Sequence, residues 1–203
     1  MSKRITSGLI ATAAAAALAG GLVAAGGGSS ADAAANTRHA TVDVVSAKAQ
    51  LARLLKDQAR VQRNLKTFDT LDFDVFTNQK WDRLKESHAP NIKVYWPDGH
   101  FTVGLARHTE DLKQLFVYAP DTRINEHPIR FGSGNQTAVT GVFEGTFTKP
   151  MPDGKGGFIQ PTGKAFRIPM ATIGIWKGGL MVEEHLFWDN KTYLDQIGLG
   201  APS

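Results

Sequence analysis

The chain has 203 residues, a formal charge of +4 and no cysteine. Without cysteine there can be no disulfide framework, thiolate metal site, lipoprotein anchor or cysteine nucleophile. The mild positive charge, spread along the chain without a dense stripe, argues against a nucleic-acid partner.

Lys3-Arg4 is followed by an Ala-, Leu-, Gly- and Val-rich run from Leu9 to Ala25, then Gly26 to Ser30 and an A-x-A pattern at Ala31-Asp32-Ala33. This reads as a cleaved export signal over residues 1–33, which implies a periplasmic or secreted protein. The run is only weakly apolar, and small residues follow it where an anchor would have charged flanks, so no stable membrane anchor is expected. Removing Lys3, Arg4 and Asp32 takes the charge from +4 to +3. Residues 34–66 read as a polar arm, to Ala40, and an amphipathic helix. Val44, Ala47, Leu51, Leu54, Val61, Leu65 and Phe68 recur at three- and four-residue steps, with Lys48, Arg53, Lys56, Arg60, Arg63 and Lys66 on the other faces. The basic face is either a solvated surface or an attachment to an anionic membrane or partner.

One domain is expected over 67–203. A short helix around Lys80–Leu84 precedes a strand from Asn91 to Trp96, the turn Pro97-Asp98-Gly99-His100 and a returning strand, Phe101 to Gly104. Leu105 to Tyr118 has helical spacing and stops at Ala119-Pro120. Strands are predicted at Thr122–Phe131, Thr137–Thr148, Lys164–Trp176 and Leu180–Asp189, with Lys149–Gly163 a Gly/Pro-rich hairpin loop. Long successive strands after a set of helices indicate an α+β fold with an antiparallel sheet.

No phosphate loop, dinucleotide fingerprint, nucleophile elbow or zincin motif occurs. The six histidines are scattered, so no metal site is expected from local spacing. Strand alternation puts Met181, Glu183, His185, Phe187 and Asp189 on one face, and Val182, Glu184, Leu186 and Trp188 on the other. Asp189, at the strand end beside Phe187 and Trp188, has two readings. Poor solvation would raise its pKa toward a proton-transfer role; alternatively it caps the helix that follows. His185 is its nearest polar companion. Trp96, His100, Phe116, Phe143 and Phe187 are candidates for the lining of an apolar pocket.

Several motifs resemble the SnoaL-like polyketide (ester) cyclases of the nuclear transport factor 2–like superfamily. They are Trp96-Pro97-Asp98-Gly99 with Gly104, Gly141 with Glu144-Gly145-Thr146, Pro161-Thr162-Gly163-Lys164, Val182-Glu183-Glu184, Trp188-Asp189, and Leu194 with Gln196-Ile197-Gly198-Leu199. The resemblance covers Leu71 to Gly200. It implies a cone-shaped α+β barrel, in which a strongly curved antiparallel sheet encloses a hydrophobic pocket packed by N-terminal helices. It also implies an aldol-type ring closure, or related proton transfer, on a small hydrophobic carbonyl compound without cofactor or metal. Asp189 matches the family's acid/base aspartate, and His185 would support it. A homodimer or higher homo-oligomer is the expected assembly. The alternative is a non-catalytic exported module of the same fold that holds a hydrophobic ligand. Tyr95-Trp96 stands where the family usually has a histidine before the turn, and an export signal is out of place for polyketide tailoring.

Overall fold

The computed structural model describes residues 30–200, and the chain divides into two units, Met1–Ser46 and Ala47–Ser203. Helix α1 covers Ser30–Thr70, so the expected arm at Ala34–Ala40 is helical. Nearly all of the expected export signal lies outside the described residues. Among those described, no helix is long and apolar enough to cross a membrane. Only the end of the α1 stripe joins the core: Val61, Leu65 and Phe68 are buried, whereas Leu51, Leu54 and Leu55 are exposed. The Arg60 guanidinium marks the change, donating to the Gly134 carbonyl at 3.0 Å.

After α1 the backbone widens into a π-helical turn, Leu71–Phe76, and a 3₁₀ turn follows at Trp81–Glu86. Then come β1 (His88–Tyr95), β2 (Phe101–Val103), α2 (Leu105–Tyr118), β3 (Arg123–Ile124), β4 (Arg130–Ser133) and β5 (Gln136–Thr146). A small ribbon of β6 (Met151–Pro152) and β7 (Phe158–Ile159) forms the Gly/Pro-rich excursion as the hairpin expected there. β8 (Ala165–Lys177), β9 (Leu180–Trp188) and α3 (Asn190–Gln196) complete the described elements.

One sheet runs in the order β2-β1-β9-β8-β5-β3, with β4 also paired to β5. Every pair is antiparallel except β1–β9, which is parallel. The fold is thus the mixed α+β arrangement expected, with an open curved sheet whose concave face is covered by helices. Burial alternates along β5: Thr137, Val139, Gly141, Phe143 and Gly145 face inward. Phe166, Ile168, Met170, Thr172 and Trp176 do the same on β8. Gly178 (φ 63°) and Gly179 (φ 87°) join β8 to β9. Two successive positive φ values match the right-handed twist of the flanking strands.

Thr122–Phe131 is not one strand. It pairs at Arg123–Ile124, leaves the sheet at Asn125–Ile129 and pairs again at Arg130. Pro128 has no N–H to give a ladder there. The excursion places the His127 ring inside the protein, with only 1% of the side chain exposed.

Gly145 allows β5 to pass closely over its neighbours. A Cβ there would meet the Phe166 ring at 2.9 Å and the Thr122 Cα at 3.1 Å. Gly145→Ala is expected to cost about 1–3 kcal/mol by overpacking. The check is the urea midpoint at unchanged m-value; an unaltered midpoint would show that the strand can move away.

Candidate functional site

The concave face of the sheet and the helices over it enclose a chamber whose walls are almost entirely apolar. Leu71, Phe76, Leu112, Ile124, Phe143 and Met170 contribute to those walls, and Asp72, His88, His108 and Glu184 are set among them. Water can be centred in about 40 Å³ of it, room for roughly three molecules. Trp96, Leu115, Phe143 and Trp188 also line an outer vestibule of about 360 Å³, the size of a small-molecule site. The two spaces share those four side chains as a waist. Tyr118 and Tyr193 also line the vestibule, and the Tyr193 hydroxyl donates to the Tyr118 oxygen at 2.7 Å. Burial holds both phenols above the ordinary tyrosine pKa.

Each polar group reaches the chamber from a different element. Asp72 lies on the π-helical turn, in the stripe Leu65, Phe68, Asp72, Phe76; such turns recur at functional sites. The Thr77 hydroxyl donates to the Asp72 carbonyl at 2.7 Å and accepts the Ile124 amide at 3.0 Å, which fixes the turn against β3. His88 opens β1. His108 belongs to the apolar stripe of α2, with Leu105, Leu112 and Leu115. Glu184 points inward from β9 with Leu186, opposite the outward Phe187.

Glu184 Oε2 lies 3.3 Å from His108 Nε2 and 3.7 Å from His88 Nε2. Burial works to raise the Glu184 pKa, but the neighbouring imidazoles, His88 first, hold it below the usual range. Burial drives His108 down to about 4 against the pull of Glu184, so its imidazole is neutral at neutral pH. Asp72 accepts from His127 Nε2 at 2.8 Å, and His127 Nδ1 donates to Asp69 at 2.9 Å. Arg130 pairs with the other Asp69 oxygen. Burial pushes the Asp72 carboxyl up despite His127. It also opposes charge on His127, yet the hydrogen bonds and charges of Asp72 and Asp69 raise that imidazole above its ordinary pKa. A desolvated carboxylate backed by an imidazolium can take a proton in the chamber.

The structure separates the residues that the sequence grouped. Trp96 and Phe143 line the chamber and its mouth. His100 sits at the vestibule, stacked on Trp96 at 5.5 Å and paired with Asp98 at 2.5 Å. Phe116 packs into the core between Phe76 and Trp81. His185 and Phe187 lie on the outer face of the sheet, where His185 stacks on Tyr95 at 4.4 Å and bonds Glu183 at 2.8 Å. Phe187 is half exposed.

Asp189 is at the surface and caps α3, accepting from the Lys191 amide at 2.9 Å and the Thr192 hydroxyl at 2.6 Å. Thr192, first through its hydroxyl, keeps its pKa below the ordinary carboxylate value. The raised pKa expected at Asp189 is therefore corrected. Leaving the sheet at Trp188 returns the carboxylate to water and to the helix start, and the desolvated carboxyl is Asp72. Alternation also fails at the start of β9, where the register shifts between Glu183 and Met181. Both Met181 and Glu184 point inward as a result.

Sequence reasoning missed Asp72, His88, His108, Glu184 and His127. A signal existed for three of them, since Asp72, His108 and Glu184 are polar positions within apolar stripes. His88 and His127 carry no local mark.

A curved sheet over a buried polar chamber with an aromatic mouth defines a pocket-bearing α+β protein. The sequence model of the SnoaL-like polyketide cyclases matches residues 68–197, most of the chain. The chain belongs to that family. Solved structures agree on the fold. A candidate SnoaL-like polyketide cyclase from Jannaschia sp. CCS1 is 19% identical with TM-score 0.60, covering 70% of this chain and 95% of its own. IdmH of Streptomyces antibioticus, named as a candidate polyketide cyclase, is 22% identical with TM-score 0.56, covering 66% and 98%. A Catenulispora acidiphila protein with a ketosteroid isomerase-like fold, solved with trimethylamine, is 16% identical with TM-score 0.51, covering 63% and 92%. At these identities the likeness is one of fold. No curated protein matches the chain.

Two tests follow from the charges. Asn caps as well as Asp, so Asp189→Asn should leave thermal stability nearly unchanged while Asp189→Ala lowers the melting temperature. Equal losses would remove the cap from the account. His127 faces Asp69 and Asp72, with Arg130 on Asp69 and Glu184 and His88 beyond Asp72. Its folded pKa lies above the reference value of 6.5. The stability it adds is therefore complete below that reference and is lost as pH rises through the folded value. Urea unfolding of wild type and His127→Gln should show a gap that narrows with rising pH. A gap that widens would reverse the assignment.

Proposed function

We infer a cyclase- or isomerase-type role from membership of the family. We propose that the chain is an enzyme that moves protons on a small, mainly apolar carbonyl compound, by aldol-type ring closure or a related isomerisation. The observation that carries this reading is Asp72, a buried carboxyl raised by burial and oriented by His127 behind an apolar waist. The vestibule suits the body of such a compound, and the narrow chamber suits only its reacting end. Asp72 takes a proton from the carbon beside the carbonyl and returns it to the new alkoxide or to a different carbon. His127, fixed between Asp72 and Asp69, holds the imidazolium charge that steadies the carboxylate between these steps.

The test uses small cyclic ketones and linear polyketones in deuterated water, with NMR following deuterium uptake beside the carbonyl and ring closure. Asp72→Asn should lower the rate by about 10²–10⁴-fold with unchanged circular dichroism, and Asp189→Asn should leave it near wild type. If wild type binds such ketones without exchange, and Asp72→Asn binds them equally well, the chain is a binding module. If Asp189→Asn abolishes exchange while Asp72→Asn does not, the acid/base assignment moves back to the strand end.

The Leu9–Ala25 run and the Ala31-Asp32-Ala33 pattern support export of this enzyme. Mass spectrometry of the protein from culture medium or periplasm should find an N-terminus near Ala34; an intact Met1 would overturn export.

A further inference from the structure

The side chains facing Glu184 leave a chemical conflict inside the chamber. His88 Nδ1 lies 3.1 Å from the Leu84 carbonyl and 2.8 Å from the Ser87 hydroxyl, which itself donates to that carbonyl. A carbonyl only accepts, so Nδ1 carries a hydrogen, and in the neutral ring Nε2 then keeps a lone pair. That lone pair faces Glu184 Oε2 at 3.7 Å, acceptor against acceptor. His88 Nε2, Glu184 Oε2 and His108 Nδ1 are all buried without a hydrogen-bond partner. Both histidine side chains are 1% exposed and that of Glu184 is 6%. Orphan polar atoms at this depth are costly.

We propose that His88, His108 and Glu184 bind one divalent first-row transition-metal ion, and that Zn²⁺ fits this donor set best. One ligand-capable atom from each residue lies within 4.8 Å of the others. Tetrahedral bonds of about 2.0–2.2 Å set ligand atoms roughly 3.3–3.6 Å apart, close to the 3.3 and 3.7 Å already found around Glu184. Two imidazoles and a carboxylate are ligands that zinc and iron(II) accept. The His88 Nδ1–H to the Leu84 carbonyl is the outer bond that orients a metal-binding histidine. About 40 Å³ of chamber is too little for an organic substrate and enough for an ion with one or two waters.

The site shares the chamber with Asp72, but Asp72 is committed to His127 and is not one of the three ligands. It differs from the cofactor-free chemistry that the family resemblance implied. A resident ion would polarise a carbonyl arriving through the waist.

The test is titration of the chelator-treated full chain with Zn²⁺ in a calorimeter, then with Co²⁺ in a spectrophotometer, at neutral pH. We expect one Zn²⁺ per chain, and for Co²⁺ the visible bands of a four- or five-coordinate site. Glu184→Gln and His108→Asn should each weaken binding by at least about tenfold and lose the metal-dependent rise in Tm, whereas Asp72→Asn should keep the ion. If either ligand variant fails to fold, the wild-type Co²⁺ spectrum decides alone: hexa-aquo-like bands sink the site. Absence of saturable binding, or equal binding by the ligand variants, would overturn it. So would nitrogen NMR showing His88 as an imidazolium with no ion taken up, since a proton would then resolve the conflict. Loss of metal binding with intact ketone exchange would reject this site and leave the Asp72 reading standing. The reverse result would do the opposite.

Discussion

Four ionisable side chains share one chamber inside an apolar core, and burial makes each depend on the others. Asp72, His88, His108 and Glu184 are all less than a tenth exposed. Water cannot stabilise their charges there, so neighbouring groups must. Asp72 is held by His127, His127 by Asp69, and Asp69 by Arg130 at the surface. This chain of contacts connects the chamber to solvent through alternating charges. It also ties the π-helical turn and the end of α1 to the loop between β3 and β4.

The fold supplies that loop and turn by departing from regularity. The helix that begins as α1 widens where Asp72 must face inward. The strand predicted at Thr122–Phe131 breaks where His127 must leave the sheet. The shift in β9 register brings Met181 and Glu184 to the same side. Each irregularity gives up some backbone pairing and places a polar side chain in the interior. The regular strands β5 and β8 meanwhile supply the apolar wall. Polar machinery and apolar container thus come from different kinds of backbone.

The two compartments divide the work. Trp96, Leu115, Phe143 and Trp188 separate a vestibule large enough for a small molecule from a chamber that admits only a few atoms. Aromatic walls exclude water, which strengthens every electrostatic interaction behind them. The outer face of the sheet has another character. Phe101, Tyr95 and His185 stack in a row across β2, β1 and β9, away from the chamber. The two faces of β9 therefore serve different surroundings.

The sequence by itself determined the α+β class, the order of the principal helices and strands, the hairpin turns and the family. These rest on local quantities: three- and four-residue apolar spacing, two-residue alternation, glycines where φ is positive, and short motifs at turns. It also carried both readings of Asp189, since Asp followed by Asn-Lys-Thr is a helix start in any context. Only the tertiary structure decided between them, and it decided for the cap. Proton affinity depends on who surrounds a carboxyl after folding, and no window of sequence around Asp189 or Asp72 records that. Asp72, His88, His108, His127 and Glu184 are separated by up to 112 residues. They meet because a parallel β1–β9 pair, a widened helix turn and a broken strand converge on one point. Spacing along the chain cannot show such a meeting; long-range packing alone creates it.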